Sequence, residues 1–139
     1  MHLLDTNVVS ELRKFEAAKF EPRVREWAAR QDSETLFLSS VTFMELEYGV
    51  CLLERRDPRQ ARTLRRWLEE SVIPAFSDRI LPVDATIARE CARLRAQAPR
   101  QVTDAFIAAT AHVHRMTVVT RNVRDFEAMG VRVFNPWAS

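Results

Sequence analysis

The sequence predicts an α/β fold built on a mostly parallel sheet, and three observations carry that expectation. Short apolar runs alternate with longer segments of helical periodicity along the whole chain. Because helices rather than tight turns separate the runs, successive strands need crossover connections, which are right-handed and favour parallel pairing. Finally, 139 residues are enough for one hydrophobic core and too few for two. Residues 1–139 are therefore expected to be a single domain, with about five short strands in the middle and helices on both faces.

The runs at 2–5 (His-Leu-Leu-Asp), 35–39, 80–83, 117–120 and 131–134 are brief and apolar on both sides, as strands buried on both faces should be. Cap chemistry marks the helices between them. Thr6 or Asn7 can open the first, Pro22 suits a first helical turn, and Asp57-Pro58 is a cap followed by a first-turn proline; Asp84 and Thr103 can open two more. The segment from Val41 to Glu54 carries an apolar stripe of Phe43, Leu46, Val50 and Leu53, and 63–76 carries Leu64, Trp67, Leu68 and Val72, so both should pack inward. Gly130 can close a short helix after Asn122.

Composition excludes several functions. Apolar residues make up 47% and charged residues 29% of the chain, a mixture that can bury a core. The net charge of +2 is too small to argue nucleic-acid binding by itself. Gly49 and Gly130 are the only glycines, which rules out a Gly-rich phosphate loop. Cys51 and Cys91 lack the spacing of a zinc or redox pair and read as reduced core thiols, so a cytoplasmic location is expected. No segment reads as a signal peptide or membrane span.

Acidic residues recur at one kind of place. Asp5, followed by Thr6 and Asn7, ends the first strand, where parallel sheets bind ligands. Glu45 lies about one turn into the helix after Ser39-Ser40, Asp104 opens an Ala-rich helix, and Asn122 and Asp125 follow the strand that ends at Thr120-Arg121. Each has a structural alternative. Asp5 or Thr6 can cap a helix, Thr42 to Glu45 matches a capping box, and an acid in a first turn suits the helix dipole. Clustered together they would behave differently: two carboxylates about 4 Å apart repel by about 4 kcal/mol at an effective dielectric of 20, so a cation must hold them. With oxygen donors and no imidazole or thiolate, that cation would be Mg²⁺ or Mn²⁺.

Four segments, Leu3-Leu4-Asp5-Thr6-Asn7, 40–50 (Ser-Val-Thr-Phe-Met-Glu-Leu-Glu-Tyr-Gly-Val), 103–111 (Thr-Asp-Ala-Phe-Ile-Ala-Ala-Thr-Ala) and 120–126 (Thr-Arg-Asn-Val-Arg-Asp-Phe), together resemble the signature segments of PIN-domain proteins of the VapC type, including the FitB-like group. They stand in that family's order and span nearly the whole chain. The resemblance implies a PIN-like fold and a Mg²⁺-dependent endoribonuclease, with Mn²⁺ able to substitute, acting as the toxin of a toxin–antitoxin pair. It further implies a homodimer, a small antitoxin partner, and promoter DNA bound only through the antitoxin. By position, Asp5 and Asp104 match the family's main metal ligands and Glu45 its second acid. At the fourth acidic position relatives often carry Asp directly after Thr-Arg; this chain has Asn122 there, and Asp125 is the available carboxylate. Thr6, Asn7, Ser40, Thr120, Arg121 and Asn122 are the expected supporting or substrate residues.

Two other readings compete, a non-catalytic partner in a DNA-binding repressor complex and a metal-dependent DNA nuclease. A basic run, Arg55, Arg56, Arg59, Arg62, Arg65 and Arg66, could follow an RNA backbone or be a solvated or partner-binding helix face. His2, His112 and His114 form no site.

Overall fold

The computed structural model describes residues 1–13 and 21–138. Its five strands, β1 (His2–Leu4), β2 (Leu36–Ser39), β3 (Ile80–Leu81), β4 (Thr117–Val119) and β5 (Val133–Phe134), form one sheet in the order β3-β2-β1-β4-β5. Every pairing is parallel, beyond the mostly parallel sheet expected. The chain moves outward from β1 through β2 to β3 and then returns to the other side of β1 as β4. This reversal creates a crevice at the carboxyl ends of β1 and β4. Leu4 is level with Val119, and the Asp5 amide donates to the Val119 carbonyl at 2.9 Å, so Asp5 and Thr120 leave the sheet side by side.

Helices α1 (Thr6–Arg13), α2 (Pro22–Arg30), α3 (Ser40–Arg56), α4 (Pro58–Trp67), α5 (Ile73–Ala75), α6 (Ala85–Gln97), α7 (Val102–His114) and α8 (Val123–Glu127) surround the sheet. Asp57 and Asp84 cap α4 and α6 as their sequence context predicts, accepting from the amides of Gln60 and Ile87. Three expectations fail locally. Strand β2 runs straight into α3, so Ser39 is the cap, accepting from the Val41 amide, and the predicted capping box between Thr42 and Glu45 does not form. Helix α7 starts at Val102 with Gln101 in the cap position, which leaves Thr103 inside the first turn. The segment expected as one helix over 63–76 is the end of α4, a wider π-type turn over Leu68–Val72, and α5. Gly130 does close the α8 region, at φ 78°.

Successive residues of β1 point to opposite faces of the sheet, so each face has its own core. Leu3 packs with Ile87, Leu94, Ile107, Ala108 and Phe126, and Leu4 with Val8, Val24, Leu38, Val50 and Trp137. Cys91 is buried as expected; Cys51 is exposed on α3, its thiol donating to Glu47 at 3.6 Å. No helix among the described residues is long and apolar enough to cross a membrane.

Helix α7 is the most deeply inserted, with Ala105, Ala108, Ala109 and Ala111 all buried. Small side chains let its backbone approach α6 and the sheet, and this close approach carries Asp104 toward β1. Enlarging Ala108 to Leu should overpack the core and destabilise the protein by about 1–3 kcal/mol, read as a lowered urea midpoint.

Candidate active site

Asp5 is 4% exposed. Its Oδ2 accepts from the Thr120 hydroxyl at 2.7 Å and the Asn7 side-chain amide at 3.3 Å, while Oδ1 accepts from the Thr6 amide at 2.8 Å. A capping carboxylate would instead take an amide two or three residues on. The amides of Val8 and Val9, three and four residues on, go to the Asp5 backbone carbonyl instead. Thr120 is fully buried beneath the site, and its oxygen also accepts from the Asn122 amide at 2.9 Å. Burial pushes the Asp5 carboxyl up, its bonds from Thr120 and Thr6 pull it down, and the charge of Glu45 pushes it up again.

Glu45 turns away from its own helix terminus. Its Oε1 accepts from the Thr6 hydroxyl at 2.6 Å, which ties α3 to α1 across 39 residues of chain. Asp104, in the first turn of α7, is pushed up to about 6 by burial first and then by the charges of Asp5, Glu45 and Asp125. All four acids therefore share one electrostatic neighbourhood. Together with Thr6, Asn7, Gln101, Thr103 and Asn122 they line a cavity of about 420 Å³. No ion pair among the described residues involves any of the four.

Asn122 and Asp125, the two candidates for the fourth position, both face this cavity. Ser40, the first residue of α3, and Thr120 stand outside its wall. Arg121 lies at its edge: its amide donates to the Asn7 side-chain oxygen at 3.4 Å, and its guanidinium sits 4.5 Å above the ring of buried Trp137. Gln101 also lines the cavity, although nothing singled it out in the sequence; with hindsight, its place three residues before Asp104 was the available signal. In the basic run, Arg65 is bound to Glu47, Glu54 and Glu69 at 2.7, 3.2 and 3.5 Å, so it braces α3 against α4. His112 faces Glu90, away from the acids.

The donors facing the cavity are carboxylates, hydroxyls and amides, with no imidazole or thiol, a set suited to a hard divalent cation. Among the described residues no three acidic, His or Cys side chains close into a ready-made cage. The arrangement fits Mg²⁺, which is commonly held by one or two carboxylates and keeps several of its waters.

A parallel α/β domain with carboxylates converging at the sheet's switch point defines a class of acidic-site proteins, and comparison with known proteins identifies which one. The PIN domain family model matches residues 2–131. Toxin FitB of Neisseria gonorrhoeae is 39% identical over 142 residues, covering 99% of both chains, and VapC ribonuclease Y4jK of Sinorhizobium fredii is 41% identical over 145 residues, covering 99% of this chain and 98% of its own. The crystal structure of FitAcB from N. gonorrhoeae superposes with a TM-score of 0.89 at 38% identity over the full length of both chains. The chain belongs to the PIN-domain family.

The raised Asp104 carboxyl gives stability a definite pH dependence. Between an unfolded value of about 3.9 and about 6, the folded state holds a proton that the unfolded chain has released, so stability falls as pH rises through this window. Asp104→Asn should therefore melt higher than the parent in EDTA at pH 7.5, on the order of 2–4 °C, and the difference should vanish near pH 4. A variant no more stable than the parent at pH 7.5 would show that the burial and crowding of the Asp104 charge do not strain the site.

Proposed function

We propose that this protein is a metal-dependent endoribonuclease that acts as the toxin of a toxin–antitoxin pair in the cytoplasm, with Mg²⁺ as cofactor and Mn²⁺ able to replace it. The carrying observation is the convergence of Asp5, Glu45, Asp104 and Asp125 on one cavity with no protein cation paired to any of them among the described residues. The relatives' names, VapC ribonuclease and toxin FitB, support the substrate class and the biological role.

When bound, the ion would neutralise the acids, lower the pKa of water, and stabilise charge on the phosphate oxygens. Asp5 and Asp104 would hold it. Thr120 and Thr6 fix the Asp5 carboxylate through the bonds described above. Glu45, oriented by the Thr6 hydroxyl, would take the proton from the water that attacks phosphorus, and Asp125 would add a fourth negative charge. Asn122 would offer its side-chain amide to the substrate, Asn7 supports Asp5 through the bonds described above, and Ser40 would act from behind the cavity wall. Arg121, its guanidinium 4.5 Å from the centre of the Trp137 ring, would meet a phosphate beside the one cut.

The partners we propose are an antitoxin, with promoter DNA reached only through it, and a second copy of this chain. In a related structure FitAB is bound to an IR36 DNA fragment, and this chain matches it with a TM-score of 0.88 at 38% identity. For the homodimer, Met44, Tyr48 and Leu52 recur every fourth residue along α3 and are 48%, 60% and 49% exposed, an apolar stripe that the described residues leave half open.

Three measurements test this reading. The protein should cleave RNA, but not single-stranded or duplex DNA, with Mg²⁺ or Mn²⁺; EDTA should stop it, and Asp104→Asn should lower the rate by at least about a hundredfold while remaining folded. Metal-dependent cleavage retained in that variant would overturn the assignment. Arg121→Ala should reduce the salt slope of RNA binding by about 0.7, the share of one phosphate contact on a single strand. Tyr48→Arg should convert a dimer to a monomer in sedimentation equilibrium.

A further inference from the structure

The acidic cavity has a neighbour. Gln101, Asp104 and Asp125 also line a second cavity of about 330 Å³, walled otherwise by the loop before α7, including Pro99 and Arg100, and by Ala128 and Met129 at the end of α8. We propose that this second cavity is a nucleobase subsite, which takes the base of a nucleotide adjoining the phosphate that is cut. The proposal rests on the ribonuclease reading above and adds a specificity site to it.

Its chemistry selects the occupant. A phosphate would face two carboxylates against one guanidinium, and Arg100 already donates through Nε to the Ala98 carbonyl at 3.3 Å. A purely apolar group would bury against the same carboxylates with nothing to pair with them. A base avoids both problems, having flat apolar faces and hydrogen-bonding edges. Pro99, Ala128 and the Met129 side chain offer surfaces for the faces. The Gln101 amide offers both a donor and an acceptor to an edge, and its side chain makes no cap bond with α7 that would compete.

Connectivity adds a second argument. A base is joined to its phosphate through one ribose, so a base pocket must adjoin the reacting centre, and these two cavities share three wall residues. The volume lies at the small end of ligand sites, suited to one base rather than a folded helix. Sequence-specific RNA recognition works in this way, by splaying single-stranded bases into pockets.

The test uses RNA oligonucleotides carrying one mapped cleavage position, intact or made abasic at the nucleotide on either side of it. The intact protein should cut the base-bearing RNA about tenfold or more faster than one of the two abasic forms, the range expected for one stacked base. Ala128 is exposed, so Ala128→Trp can fill the cavity without entering the core, and this variant should cut intact and abasic RNA at equal rates. Gln101→Ala, also at an exposed position, should shift the preference among the four bases there by threefold or more. Equal cutting of intact and abasic RNA by the unmutated protein would overturn the subsite while leaving the nuclease reading standing. Full discrimination retained by Ala128→Trp, or an unmoved base preference in Gln101→Ala, would overturn it as well. Absence of metal-dependent cleavage on every RNA would remove both readings together.

Discussion

Mutual repulsion among carboxylates is the constraint on which the rest of this structure depends. Asp5, Glu45, Asp104 and Asp125 come from segments separated by up to 120 residues and face one cavity, and bringing them together raises the energy of the folded state in the absence of a cation. The fold resists this with rigid neighbours. Asp5 is the residue after the central strand, so the sheet register positions it, and Thr120 follows the adjacent strand and bonds to it at 2.7 Å. The Thr6 hydroxyl holds Glu45. A site on mobile loops would relax by spreading its charges, whereas one anchored to two adjacent parallel strands retains its field.

That anchoring explains features of the packing that are otherwise unrelated. Leu3 and Leu4 lock β1 into opposite cores, so a one-residue slip of register would turn each leucine toward the other's core and take Asp5 off the Thr120 hydroxyl. The alanines of α7 let Asp104 approach β1, and a bulkier helix face would hold it away. The Arg65 contacts to Glu47, Glu54 and Glu69 brace α4 against α3, the helix that carries Glu45. These ion pairs are solvent-exposed, so each adds little stability, about 0–1 kcal/mol; their consequence lies more in the orientation of the helix pair.

How much of this was legible in the sequence depended on the range of the signal. All five strands lay within the predicted runs, because apolar runs are local and short. The caps at Asp57 and Asp84 were equally legible, since a cap needs only its own next three residues. The predicted capping box failed because α3 begins at Ser40 with Ser39 as its cap, which leaves Thr42 inside the helix, and Glu45 instead meets Thr6, a contact that no local pattern encodes. The break between α4 and α5 was missed because a π-type turn keeps the apolar spacing of a helix. Cys51 was expected in the core but lies on the exposed side of α3, since a lone Cys does not say which side of a helix it occupies. For the site, the segments around all four acids could be recognised, while Gln101 could not, because its position follows from where α7 begins, one residue before the predicted Thr103.

The surroundings of the acids also give the site a direction. Arg121 and Trp137 lie beyond Asn7, past the ends of β1 and β4, and the second cavity adjoins Asp104 and Asp125 at the start of α7 and the end of α8. The one side offers a guanidinium over an aromatic ring, which suits a phosphate; the other offers apolar walls and an amide, which suit a base. On the ribonuclease reading proposed above, an RNA strand crossing the acids would be met differently on its two sides, and cleavage would depend on which way it runs. Carboxylates that hold an ion contact nothing that differs between one nucleotide and the next, so on that reading discrimination has to come from these flanking groups.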